Sequence, residues 1–586
     1  MNCPNCGASC AEGMELCSAC GTPLAEQTAP VEAPVAAAVA EPIPAPMAEP
    51  AAEPADAPAE APVATAVESP VAEAPATEKK SGFNIGAVLA KVKPFLKNKL
   101  VLAGIAATVL LLIVLCVVFI ATGNNNGFIQ LKQSVLLIEN DDEVGILVNN
   151  KLLKKTIPAD GYSDIQQSLD GKITAFMVYE KDEDSYGVEY DLYIVKGNKF
   201  KKVAQDVMSF ELSASGKGLA YTTVEDEEEG TYGLYLMKVG SKKATKVSTE
   251  LCNTDFAISP DGKSVAYYEA GDEDEPDELY FAKGKKSQKV TSKETLLLGL
   301  SDNGKYIYAA CGEEDSSEAN LYKFNKKGDR VKLGKISSEE IYFNADHTQI
   351  MFFNDGKTYV STKGKDAVKA SSGELTMVDI PNSGAMYADG STYPVDNLFD
   401  HVYTSNNDGS RSAWIIKKNP DKNVKLASKV SSCTLDESGK YMYYLRNGEE
   451  LRVLKLSHGQ NAADKSKELA DGVNNYVITS NRKLAYYISD DTLYSVNGKK
   501  GGRSKTIKSD DLGLAMVLNS KDVLFFTVEG DIYACSNGKT AKMVLEDSEL
   551  LLSTANGIVF AGSEESLYAN KTGKKFKLLM KIDIDD

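Results

Sequence analysis

Beyond Gly123 the chain repeats a two-part pattern at intervals of 35 to 48 residues, and a period of that length commits most of the sequence to stacked copies of one small unit. The first part is a turn followed by a strand: SLDGKITAFMVY from Ser168, SASGKGLAYTTV from Ser213, SPDGKSVAYYEA from Ser259, SDNGKYIYAA from Ser301 and DESGKYMYYL from Asp436. The second is an apolar residue or Thr followed by tyrosine, at Leu192-Tyr193, Leu234-Tyr235, Leu279-Tyr280, Leu321-Tyr322, Thr358-Tyr359, Val402-Tyr403, Leu493-Tyr494, Ile532-Tyr533 and Leu567-Tyr568. Asp-Gly, Asn-Gly and Ser-Gly supply tight turns, and the β-branched and aromatic runs behind them suit buried strands, so each unit reads as a small antiparallel sheet.

A single sheet of this kind cannot bury both faces, so the units must pack on one another. Four strands in about 43 residues is the arithmetic of a β-propeller blade, whereas solenoid β-helices use shorter turns. About ten units are expected, including weaker ones near Asp346, Asp389, Asn481, Asp522 and Asn556. A fragment from Ser134 to Lys155 is expected to complete a blade with strands from the C-terminus. Ten exceeds the common four to eight blades, so one large ring and two packed propellers both fit. The fold class is therefore mainly β. The S-P-D-G-K turn, hydrophobic strand and Leu-Tyr pair resemble the propeller repeats of the TolB-like and prolyl-oligopeptidase-like families over most of residues 160 to 570. The resemblance implies fold and not activity, because propellers host unrelated functions. A single tryptophan, Trp414, departs from the Trp-Asp repeats of WD40 proteins.

Upstream, residues 100–122 (LVLAGIAATVLLLIVLCVVFIAT) carry no charge. As a helix they would run about 35 Å, enough to span a bilayer, and a buried core helix this long without a polar face is rare. Lys79, Lys80, Lys91, Lys93, Lys97 and Lys99 precede the run, whereas only Lys132, beside Asp141 and Asp142, stands in the stretch that follows. The positive-inside rule then places the N-terminus in the cytoplasm and residues 123–586 outside, with an uncleaved anchor between them. The basic segment 79–99 either lies along the inner membrane surface or simply sets orientation.

The first 24 residues, MNCPNCGASCAEGMELCSACGTPL, pair Cys3 with Cys6 and Cys17 with Cys20, two C-x-x-C knuckles separated by ten residues. Zinc takes four such thiolates in a tetrahedron, and Gly7 and Gly21 free the backbone behind each pair. The motif resembles the short zinc ribbons at the N-terminus of many bacterial membrane proteins. A four-thiolate site is closed to substrate, so Zn2+ is expected as a structural ion that supplies folding energy to a segment without a core. Cys10 is a spare thiol. Redox chemistry needs a βαβ context that 24 residues cannot hold. The first basic residue of the chain is Lys79, so phosphate binding by the ribbon is disfavoured; the net charge of −18 extends that to nucleic acid generally. Residues 25–78, almost all Ala, Pro, Glu and Val, form an extended, disordered tether.

For chemistry in the repeats there is little material. No G-x-S-x-G nucleophile motif occurs, and His347, His401 and His458 are read as exposed turn or strand residues. Cys252, Cys311, Cys433 and Cys535 are read as small buried thiols in strands. Acidic runs at 182–184, 225–229 and 272–278 fall at the same point of successive repeats, in hairpin loops; solvated tips are favoured over calcium sites, since none has EF-hand spacing. The leading expectation is a non-enzymatic, membrane-anchored envelope protein whose repeat domain binds a protein, peptide or cell-wall polysaccharide. Its rivals are an envelope hydrolase or lyase using a propeller face, and a passive structural module.

Overall fold

A computed structural model describes residues 127–581, apart from 141–142, 181–188, 227–229, 272–275, 313–318, 338–339, 382–390, 408–409, 457–464, 510–511, 555 and 564–565. The zinc ribbon with Cys3, Cys6, Cys17 and Cys20, the tether, the basic segment and the apolar run all lie outside the described residues, as does His458. Among the described residues no helix is long and apolar enough to cross a membrane.

Among the described residues the strands form eleven antiparallel blades of four strands, numbered in chain order: 135–158, whose two short last strands both pair with its second, then 161–204, 207–251, 256–291, 296–336, 341–371, 374–428, 430–470, 475–509, 512–545 and 549–581. Blades 3 and 4 share the 14-residue strand Thr245–Ile258, whose first half pairs with Thr231–Lys238 and whose second half pairs with Ser264–Glu269. In blades 2 to 11 the strands lie in sequence order across the sheet. The second strand is buried on both faces, as in Ile173–Glu180 and Ser264–Glu269, because it packs against both neighbouring blades. That double burial is why these strands read as unbroken apolar runs. Fourth strands such as Lys286–Thr291 are largely exposed and lysine-rich, which blunts the outer sheet edges.

The opening residue of each turn closes it. Ser168 Oγ accepts the N–H of Ile173 at 3.1 Å, Ser259 Oγ that of Ser264 at 3.0 Å, and Asp436 Oδ1 that of Tyr441 at 2.9 Å. Asn344, Thr479, Asn519 and Thr554 do the same in blades 6, 9, 10 and 11. These side chains satisfy backbone donors that a tight turn leaves unpaired.

The apolar-Tyr pair also has a structural cause. In blades 2 to 11 the pairing of third strand to fourth slips at this point, as between Leu192 and Tyr193 or Leu493 and Tyr494. The bulge lets an apolar residue bury while the next one lies over the sheet. The tyrosine then stacks on its cross-strand partner: Phe176 on Tyr193, Tyr221 on Tyr235, Tyr267 on Tyr280, Phe352 on Tyr359, Tyr487 on Tyr494 and Phe526 on Tyr533, with centroids 5.2 to 5.9 Å apart. Val402-Tyr403 departs from the expected position, since it lies in a second strand, Val402–Asn407. Its cross-strand partner Trp414 takes the tyrosine's place, next to the bulge at Ala413.

Each blade shares an apolar core with the next, and the eleventh packs on the first: Leu147 of blade 1 sits with Ile558 and Phe560 of blade 11. The blades therefore follow one another in a closed circle. Among the described residues the expected exchange of strands between the fragment at Ser134 and the C-terminus is not found: the strands of 135–158 pair among themselves, and 549–581 is a complete blade. The seam is held by side chains, including a 2.7 Å bond from Asn556 Nδ2 to Asn149 Oδ1.

Candidate binding cavity

The circle is not an open tube. The connection between the first two strands of blade 7, residues 378–401, replaces the short turn found in blades 2 to 6 and 8 to 11. Its residues 391–395 lie along the inner edge of blade 6, where Phe343 N–H donates to Ser391 O at 2.7 Å, Tyr393 N–H to Phe343 O at 2.9 Å and Ala345 N–H to Val395 O at 2.8 Å. The same stretch bonds to the first described residues: Ile129 N–H donates to Pro394 O at 2.7 Å, and Phe128 bridges Val395. Ile129 and Ala345 in turn pack on Leu169 and Ala214; Leu169, Ala214 and Ala345 are the second turn residues of blades 2, 3 and 6. A chord of chain thus joins blade 6 to blades 2 and 3 across the circle. On that side Gln166 bridges to Phe210 O and Leu212 N, and Glu211 accepts from Ile258 N at 2.6 Å, so neighbouring first strands are tied together.

On the other side the first strands of blades 8 to 11 leave a cavity of 610 Å³. Ser432 and Thr434, Val477, Val517 and Ser553 come from the four strands, and Pro381 of the blade 7 connection reaches it as well. These are the inner edges of their sheets, with backbone donors and acceptors turned away from the second strands. Asp436, Glu437 and Asp522 stand at the turn end of the cavity. Partial burial, and then the charges of Asp522 and Asp436, push the Glu437 carboxyl above its ordinary range.

Three turn residues do what no glycine could. The fourth residue of the turn adopts positive φ in every blade that has the turn, and it is Gly171, Gly216, Gly262, Gly304, Gly439 or Gly557 in six of them. In the other three it is His347 (φ 51), Arg482 (φ 57) and Asp522 (φ 57), conformations that L-residues enter at a cost of roughly 1–2 kcal/mol. Each reaches a neighbouring element. His347 places Nδ1 2.9 Å from Leu300 O of blade 5 and Nε2 2.9 Å from Thr392 Oγ1 of the chord, and stacks on Phe343. Arg482 pairs with Asp436 at 3.4 Å and lies 3.4 Å from the centroid of the Tyr441 ring, both in blade 8. Asp522 accepts from Ser480 N at 2.6 Å, Ser480 Oγ at 2.8 Å and Asn481 Nδ2 at 3.2 Å, all in blade 9. The sequence marked these turns as weak because the glycine was missing; the missing glycine was itself the signal.

His347 and His401 are therefore corrected from exposed to buried. His401 lies against Phe128, its ring centroid 4.9 Å away, and burial pushes its imidazole down to about 4. Cys252, Cys311, Cys433 and Cys535 are free thiols in strands, two buried and two half-buried, and burial first of all holds each above the usual thiol range. Of the acidic runs, the described ends are engaged: Glu225 pairs with Lys246 and Glu278 with Lys289. Among the described residues no group of three or more His, Cys, Asp or Glu is arranged to hold a metal ion.

No protein-family model matches the sequence, and no curated protein does. Solved structures similar to the chain are β-propeller proteins. TolB from Acinetobacter baumannii aligns at 16% identity over 50% of this chain and 77% of that one, with a TM-score of 0.26. The propeller domain of the trilobed protease from Pyrococcus furiosus, which has an open velcro topology, aligns at 11% over 60% and 95%, with a TM-score of 0.28. An oligogalacturonate lyase in complex with manganese aligns at 10% over 62% and 94%, with a TM-score of 0.26. At these values the likeness concerns strand architecture alone.

Proposed function

We propose that this is a membrane-anchored, non-enzymatic binding protein: a structural zinc ribbon on Cys3, Cys6, Cys17 and Cys20 in the cytoplasm, one membrane span at 100–122, and an exported propeller whose cavity between blades 8 and 11 takes an extended polypeptide. The observation that carries this reading is the chord. Residues 391–395 add to the inner edge of blade 6 through backbone hydrogen bonds, which is strand addition carried out by the chain on itself. The inner edges of blades 8 to 11 offer the same backbone groups to an outside strand. Asp436, Glu437 and Asp522 at the turn end favour a basic residue in that ligand.

The test is a screen of the full-length protein against extended peptides of varied charge, repeated with Ser432→Trp, which fills the cavity from an exposed position. Loss of binding in this variant at unchanged Tm supports the reading. Equal binding by variant and wild type, or binding to wall polysaccharide in place of peptide, overturns the assignment of ligand or site. A second reading, a hydrolase or lyase at this face, draws on the raised carboxyl of Glu437, which could hold a proton for a leaving group. It requires turnover by the pure protein that Glu437→Gln abolishes.

A further inference from the structure

In an antiparallel four-stranded blade the loops alternate between two faces. The turn from strand one to two and the hairpin from three to four emerge on one face; the hairpin from two to three and the link to the next blade emerge on the other. The structure bears this out at the seam of blades 4 and 5, where Lys283 and Lys286 of one three-four hairpin, Lys305 of the blade 5 turn, and Lys326 and Lys327 of the next three-four hairpin line one groove of 560 Å³.

Sorted in this way, charge separates sharply. Between the third and fourth strands of blades 2 to 11 the sequence has eighteen Lys or Arg and four Asp, which are Asp329, Asp366, Asp421 and Asp464. Between the second and third strands of the same blades it has twenty-three Asp or Glu and one Lys, Lys181. The links between blades add acids such as Asp206, Glu340, Asp471 and Glu546 to the second set, against Lys293 and Lys429. The turns on the first face are near balance, Asp170 pairing with Lys172 and Asp261 with Lys263. The five groove lysines form no ion pair among the described residues. Among the described residues the three-four hairpins thus make one face basic, and Asp277, Asp355, Glu449, Asp490, Asp491 and Glu529 of the two-three hairpins make the other acidic.

The chain enters on the basic face. Lys132 N–H donates to Asp170 O in the blade 2 turn at 2.8 Å, Ile129 packs on the turns of blades 2 and 3, and Phe128 is pinned against His401. Four residues, 123–126, separate Thr122, the end of the apolar run, from Gly127, a reach of at most about 18 Å.

We infer that the propeller lies flat on the bilayer, with its basic face against anionic lipid headgroups and its acidic face outward. This rests on the membrane span proposed above. Lysine ammonium groups without carboxylate partners are the chemistry that an anionic surface neutralises, and the short entry leaves no room for the opposite face to turn toward it.

The experiment uses the full-length chain in nanodiscs of phosphatidylcholine alone or mixed with phosphatidylglycerol, and reads lysine labelling by an amine-reactive reagent. Lys285, Lys326, Lys327, Lys499 and Lys500 are expected to label several-fold more slowly in the anionic discs, and high salt should restore their rates. A variant with Lys326→Glu, Lys327→Glu, Lys499→Glu and Lys500→Glu should lose the protection of Lys285, whereas Glu449→Lys with Glu546→Lys on the acidic face should keep it. Equal labelling in both lipids, with the chain retained in the disc after alkaline extraction, overturns the orientation alone. A chain released by that extraction overturns the membrane span and the orientation together.

Discussion

Asp522 holds Ser480 twice across the seam of blades 9 and 10, accepting its N–H at 2.6 Å and its hydroxyl at 2.8 Å from a backbone position that glycine fills in six other blades. Two effects of opposite sign therefore meet in one residue. Asp522→Ala keeps the unfavourable φ and loses the bonds; Asp522→Gly loses the bonds and relieves the backbone. The alanine variant should be destabilised by about 1–2 kcal/mol and the glycine variant by clearly less. Urea denaturation would read the order, with amide exchange at Ser480 rising in both. Glycine falling below alanine would refute the account.

His347 fastens the chord through Thr392. His347→Gly should free residues 391–395 without unfolding the blades, seen as faster amide exchange at Tyr393 and Val395. His347→Asn tolerates the same left-handed backbone but is too short to span both partners, so it should free the segment too. Unchanged exchange in both variants would mean that the backbone bonds of the chord suffice alone.

Buried His401 and half-exposed Asp302 give opposed pH responses. The folded pKa of His401, about 4, lies below its ordinary 6.5, so between these values the unfolded chain binds the extra proton and stability falls as pH drops. Asp302 is pushed up to about 6, first by burial and then by Asp261 and Asp346; the folded chain binds the extra proton between about 6 and 3.8, and its contribution grows as pH drops. Asp302→Asn should stabilise the protein at pH 8 by about 1 kcal/mol, allowing for solvent screening at a half-exposed site, and should steepen the loss of stability below pH 6. Thermal melts from pH 4 to 8 would show both, and a variant with the wild-type slope would exclude Asp302 as the opposing group.

For the N-terminal ribbon, full-length protein is expected to hold one zinc per chain, and Cys3→Ser or Cys17→Ser to lose it, because a closed tetrahedral site does not survive the loss of a thiolate. Elemental analysis after desalting is sufficient. Metal-free wild-type protein would refute the site.

The turn and strand signatures are local, and the sequence displayed them. Ser168 caps its own turn five residues on, and Leu192-Tyr193 marks a bulge against a strand about ten residues away. Where a signature was weak, the cause lay elsewhere in the chain: His347, Arg482 and Asp522 replace glycine because partners in another blade repay the strain. Blade 7 lacks the turn altogether because its connection is spent on the edge of blade 6. The cavity was equally out of reach, since it is made by strands whose inner edges carry no common motif.

Repeat length, strand chemistry, turn capping and the alternation of acidic with basic hairpins were determined by residues within one unit, where covalent geometry and near neighbours decide the outcome. The closure of eleven blades into one circle, the chord that crosses it and the face on which the chain enters were decided only by the tertiary structure. Asn149 and Asn556, 407 residues apart, meet because successive blade-to-blade contacts bring the eleventh blade back to the first, and no local pattern records that sum.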